Sequence, residues 1–106
     1  MVLMMEKKLP FTKNKIKEII SKYPTPFHIY DEKAIIKTAR EMKSAFSWVK
    51  DFKNYFAIKA LPNPFIMKIL VQHGMGADCS SYPELLLSKK IGLSGNQIMF
   101  TSNDTP

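Results

Sequence analysis

From Asn54 onward, short apolar runs alternate with short helical patterns, and the connections between them are only a few residues long. Residues 55–59, Tyr55-Phe56-Ala57-Ile58-Lys59, read as a strand. Pro64 suits the first turn of a helix whose apolar positions are Ile66, Met67, Ile69 and Leu70, and Gly74 and Gly76 punctuate its end. Gly76-Ala77-Asp78-Cys79 reads as a very short strand. Ser81 and Glu84 have the spacing of a capping box ahead of Leu85, Leu86 and Leu87, and Gly92 closes that helix. A further strand spans residues 96–101 around Gln97-Ile98-Met99-Phe100. Parallel neighbours need a crossover between them, and a helix supplies it, so this order predicts right-handed βαβ units on a parallel sheet. The predicted fold class is α/β.

In such sheets reactive groups gather at the carboxyl ends of the strands. Lys59 falls at the end of the first of these strands, Asp78 at the end of the second, and Thr101-Ser102-Asn103 at the end of the third. Lys59 is the pointed case. A charged side chain closing an apolar strand is paired, reaches back to water, or is employed chemically. A lysine amine in an apolar or cationic setting forms Schiff bases with carbonyl compounds. The residues leave both the solvated and the chemical reading of Lys59 open.

Ahead of Asn54 the pattern changes. Residues 13–23 read as a helix with Ile16, Ile19, Ile20 and Tyr23 on one face. Pro24 and Pro26 end it, and Phe27-His28-Ile29-Tyr30 reads as a short strand. Asp31 suits the N-cap of a second helix running to Phe46 or Ser47. Ile35, Ala39, Met42 and Phe46 form its apolar stripe. Trp48 and the Phe and Met residues are core candidates.

Size and charge exclude several classes. A chain of 106 residues has room for one small domain, and 45% hydrophobic with 24% charged residues is ordinary globular composition. The net charge is +7, but Lys7, Lys8, Lys13, Lys15, Lys17 and Lys22 decorate a helix without interleaved exposed aromatics. They read as a solvated face, not a nucleic-acid surface. The apolar start Met1-Val2-Leu3-Met4-Met5 is short and precedes its basic residues, unlike a signal peptide. No stretch approaches the ~20 apolar residues of a membrane span. One cysteine, Cys79, permits no internal disulfide and no cysteine-based zinc site, which fits a reducing cytoplasm. His28 and His73 stand apart from carboxylates or thiols at ligand spacing, so no metal site is expected. Cys79 reads as a small buried side chain.

Four segments, in order, carry a resemblance. Thr25-Pro26-Phe27-His28-Ile29-Tyr30-Asp31 resembles a "TPxxVYD" opening strand, and Tyr55-Phe56-Ala57-Ile58-Lys59-Ala60 resembles "YAxKA". Gly74-Met75-Gly76-Ala77-Asp78-Cys79-Ser80-Ser81, followed by Glu84-Leu85, resembles "GxGxDxxSxxEL". Ile98-Met99-Phe100-Thr101-Ser102-Asn103 resembles "IxFTGN". Across residues 23–106 the chain thus resembles the fold-type III pyridoxal-phosphate-dependent amino-acid decarboxylases, most of all those acting on diaminopimelate. The resemblance implies the N-terminal part of an alanine-racemase-like (β/α)8 barrel. Residues 1–31 would bring a helix and one strand of the β-domain, and residues 32–106 the first βα units of the barrel. It implies pyridoxal 5'-phosphate as cofactor, carried by Lys59, with Ala57 beneath the ring and Asp78 close to both. Glu84 matches a family position that its capping role also explains.

The implied reaction is decarboxylation of meso-diaminopimelate to lysine, by a cytoplasmic homodimer acting on a small amino acid, without nucleic-acid or membrane partners. Leu61-Pro62-Asn63-Pro64 departs from the family after Lys59-Ala60, and Ser102 stands where the family has Gly. A whole barrel takes ~250 residues, so the chain reads as a truncated and inactive piece of a longer enzyme. Two alternatives stay open. One is another fold-type III enzyme, such as an ornithine, arginine or carboxynorspermidine decarboxylase or an amino-acid racemase. The other is a small basic binding protein.

Overall fold

The computed structural model describes residues 8–102. The apolar start through Lys7, and Asn103 to Pro106, lie outside the described residues. Backbone contacts divide the chain into two units, Met1–Asp31 and Glu32–Pro106.

The first unit contains α1, Lys13–Lys22, whose N-cap Thr12 accepts a hydrogen bond from the Lys15 amide at 3.1 Å. The helix buries no residue, and Ile20 and Tyr23 are exposed. The strand expected over Phe27–Tyr30 does not form. Those residues have no ladder partner among the described residues and run as irregular chain, with the His28 and Tyr30 rings stacked 6.4 Å apart. Strand propensity alone does not satisfy backbone groups; a neighbour must supply the bonds.

In the second unit α2, Glu32–Ala45, precedes β1, Tyr55–Ala57. A 3-10 turn, Ile58–Ala60, follows β1 directly, closed by the Leu61 amide donating to the Ile58 carbonyl at 3.1 Å. Then come α3, Pro64–Gln72; β2, Gly76–Cys79; α4, Tyr82–Lys90; a 3-10 turn, Gly95–Gln97; and β3, Ile98–Phe100. The sheet is parallel throughout, in the order β1-β2-β3. Asn63 caps α3, its side chain accepting from the amides of Phe65 at 3.0 Å and Ile66 at 3.4 Å, with Pro64 next, where no amide is needed.

Residues abreast on neighbouring strands point to the same side, and successive residues alternate. Phe56, Ala77 and Ile98 are abreast and face the helices, as does Cys79. There Ala77 and Cys79 join Ile58, Met67 and Leu93 in a core flanked by Val71, Leu85 and Ile98. A second cluster, Ala39, Ile66 and Leu70, seats α2 on α3, with Phe56 packed against both. Several expected core residues lie elsewhere. Trp48 is 82% exposed and Phe65 75%, while Met42, Phe46, Met99 and Phe100 are also exposed. Trp48 sits in the turn after α2 and spends its indole N–H on the Ala45 carbonyl at 3.1 Å. Phe65 lies in the first turn of α3, whose core stripe is Ile66, Met67 and Leu70. Among the described residues, no helix is long and apolar enough to cross a membrane.

Candidate functional site

The other face of the sheet carries Tyr55, Ala57, Gly76, Asp78 and Met99, because Tyr55 lies abreast of Gly76, and Ala57 of Asp78 and Met99. Its amino end is closed by Tyr55. A Cβ on Gly76 would fall 2.6 Å from Tyr55 Cδ1 and 2.7 Å from the Gln97 carbonyl oxygen. Only a residue without a side chain lets the phenol lie across β2 and donate its hydroxyl to the Asn96 carbonyl at 2.6 Å. Lys53 donates to the same carbonyl at 3.0 Å, with its ammonium 5.2 Å from the centre of the Tyr55 ring.

The carboxyl end is built differently. Asp78 is half-buried, and its Oδ1 accepts the Thr101 hydroxyl at 2.7 Å. The Thr101 amide donates to the Cys79 carbonyl at 2.8 Å, carrying the ladder one residue past β3. Ala57, half-buried and abreast of Asp78, presents only a methyl group. Lys59 lies two residues beyond Ala57, in the 3-10 turn instead of the strand that the sequence predicts, and it is exposed. The turn arises because Ile58, 1% exposed, stays in the helix-side core while the backbone curls past it. The parallel register therefore gathers Ala57, Asp78 and Thr101 on one rim, with Lys59 on the turn that leaves it.

Cys79 and Glu84 belong to the helix side. Cys79 is fully buried, its Sγ 3.2 Å from Ser88 Oγ. Burial pushes its thiol above the ordinary range; the Ser88 hydrogen bond opposes this, and the Glu84 and Asp78 carboxylates add to the rise. A thiol so held is a poor nucleophile. The expected capping box at α4 is rearranged. Ser81 is the N-cap, but its hydroxyl makes no bond to the helix backbone and donates to Glu84 Oε2, which also accepts the Ser80 amide at 3.1 Å. A hydroxyl donates more strongly to a carboxylate than to a neutral oxygen, and Ser81 is aimed at Glu84 accordingly. Glu84 Oε1 is buried without a hydrogen-bond partner among the described residues.

The donor set fits the aldehyde end of a pyridoxal. Lys59 supplies a primary amine, Asp78 a carboxylate with one oxygen already fixed, and Ala57 a small apolar surface of the kind a flat ring needs. A cleft of about 400 Å³ opens elsewhere, beside Asn54 and Gly74 at the amino ends of β1 and β2, and includes Lys43, Phe52 and His73 in its lining. It shares no residue with the rim. Thr101 was legible as a rim residue from strand order; its bond to Asp78 was not, since no spacing rule links positions 23 residues apart.

Residues 32–105 match the pyridoxal-binding domain of the pyridoxal-dependent decarboxylases. Protein TabA of Pseudomonas amygdali pv. tabaci is 51% identical over 88 residues, which are 83% of this chain and 21% of that protein. Diaminopimelate decarboxylase of Bacteroides thetaiotaomicron is 33% identical over 76 residues, 72% of this chain and 20% of that enzyme. Ornithine decarboxylase from Entamoeba histolytica superposes with a TM-score of 0.74 at 25% identity, over 89% of this chain and 30% of that one. The chain spans about a fifth of the length of the curated relatives it matches.

Proposed function

The chain belongs to the pyridoxal-dependent decarboxylases through their pyridoxal-binding domain, and from that premise we propose that it holds pyridoxal 5'-phosphate through Lys59 in a protein that decarboxylates an amino acid. The parallel register that sets Ala57 abreast of Asp78, two residues before Lys59, is the observation that carries this reading. Lys59 Nζ would hold the cofactor, the Ala57 methyl would offer it an apolar surface, and Asp78 would accept or return a proton at Oδ2. When bound, the cofactor supplies the sink for the electron pair released as carbon dioxide leaves. The sheet and its two crossover helices are, in this reading, the first βα units of a (β/α)8 barrel, with residues 1–31 contributing to a separate β-domain. A homodimer is part of the proposal.

The proposed substrate is meso-diaminopimelate, supported by the likeness to diaminopimelate decarboxylase. The likeness to ornithine decarboxylase supports a second reading, in which the same chemistry serves a different amino acid. Borohydride reduction of the protein mixed with pyridoxal phosphate, followed by peptide mapping, tests the attachment. The pyridoxyl group is expected on Lys59 well above the other lysines, and to be lost from that peptide in Lys59→Ala. Labelling spread evenly over the lysines would overturn the assignment. Carbon dioxide release from meso-diaminopimelate by the whole protein that contains this domain, compared with ornithine and lysine, separates the substrate readings.

A further inference from the structure

We propose that Thr101 is a positioning residue: it holds Asp78 by one oxygen so that the other is presented to Lys59. This inference rests on the reading of Lys59 as the cofactor lysine. A carboxylate on a short side chain swings about two torsions unless something holds it. Among the described residues, Asp78 takes its hydrogen bond from the Thr101 hydroxyl, at 2.7 Å on Oδ1. Thr101 is itself held twice. Its amide donates to the Cys79 carbonyl at 2.8 Å, and its branched Cβ restricts the torsion that aims the hydroxyl. Cys79 follows Asp78 in β2, so one end of the hold is the backbone next to the group being held. Ladder, hydroxyl and carboxylate form a closed ring of contacts between β2 and β3. With Oδ1 engaged by a donor, Oδ2 is the oxygen left for an ammonium at the end of β1.

The hydroxyl does something that a methyl group cannot, although the two have nearly the same size. Thr101→Val keeps the shape and the amide bond to Cys79 and removes only the donor, and Thr101→Ser restores the donor. Two measurements on the same protein samples test the idea. Side-chain scalar couplings report whether Asp78 keeps one rotamer. Borohydride trapping with pyridoxal phosphate, mapped to the Lys59 peptide and followed against pH, reports the reactivity of the lysine. Thr101→Val is expected to average the Asp78 rotamers and to lower trapping at Lys59 by about tenfold, the scale of one hydrogen bond to a charged group. Thr101→Ser is expected to return both to within about twofold of wild type, and Thr101→Val added to Asp78→Ala to change trapping no further, since both act through one carboxylate.

An Asp78 rotamer that stays fixed in Thr101→Val overturns the proposal. So does a Thr101→Val loss that adds in full to that of Asp78→Ala. If wild type shows no preference for Lys59, the cofactor reading falls on its own. The couplings still decide whether Thr101 holds Asp78.

Discussion

The two faces of one three-stranded sheet are built to opposite rules. On the helix side, Ala77 and Cys79 are 1% and 0% exposed and pack into the apolar core, with the Ser88 hydroxyl against the thiol. On the other side, one residue away along the same strand, Asp78 is half-buried and polar, and abreast of it Met99 is 48% exposed. Stability resides on one face, and the proposed chemistry on the other. The alternation of a strand is what lets four residues of β2 serve both.

That contrast is sharpest in two methionines. Met67, 1% exposed, fills the helix-side core, and Met67→Ala should cost about 2–5 kcal/mol by chemical denaturation, transfer and cavity together. Met99→Ala on the open face should stay within about 0.5 kcal/mol, as for surface positions. Equal losses at the two sites would erase the distinction between the faces. Gly76→Ala probes the amino end of the open face. Its methyl would meet Tyr55 and the Gln97 carbonyl at 2.6–2.7 Å, and an overpacked site of this kind costs about 1–3 kcal/mol. Adding Tyr55→Ala to Gly76→Ala should relieve the ring's share of the strain and leave that of the Gln97 carbonyl, so a thermal melt of the double variant is expected to show incomplete recovery.

The smallest expected effect belongs to the buried thiol. Its folded value is raised above the ordinary 9.0, chiefly by burial. The unfolded chain therefore loses this proton at a lower pH than the folded chain. Between the two values the folded state binds more protons, so this contribution is whole below the ordinary thiol range and declines as pH rises through it. Subtracting the pH profile of Cys79→Ala from that of wild type isolates the slope. A difference that grows with pH in favour of wild type would reverse the sign.

Much of the second unit could be read from local chemistry. Pro64 at a helix start, Gly76–Cys79 as a strand, and the alternation of strands and helices follow from residue types within a few positions of one another. The order of the strands then brought Asp78 and Thr101 to one rim. What was illegible depends on partners distant in sequence. Phe27–Tyr30 has the composition of a strand but no ladder among the described residues to join. Lys59 continues an apolar run, yet the burial of Ile58 bends the backbone away before the strand reaches it. Trp48, the most hydrophobic-looking member of its turn, is left outside because the indole bond to Ala45 ties it to the end of α2. Glu84 has the spacing of a cap, and its carboxylate instead collects the Ser81 hydroxyl and the Ser80 amide.

The register of β2 against β1 has a consequence for how such a rim can change over time. Ala57 meets Asp78 only because Phe56 meets Ala77. Sliding β2 by a single residue against β1 would turn it over, sending a carboxylate among the aliphatic side chains and exposing a thiol in its place. Lineages carrying this arrangement are thus barred from sliding the acid gradually toward or away from the lysine. Any such adjustment has to come from the ends of the strands, from residues such as Thr101, where a substitution can re-aim a side chain without disturbing the pairing beneath it.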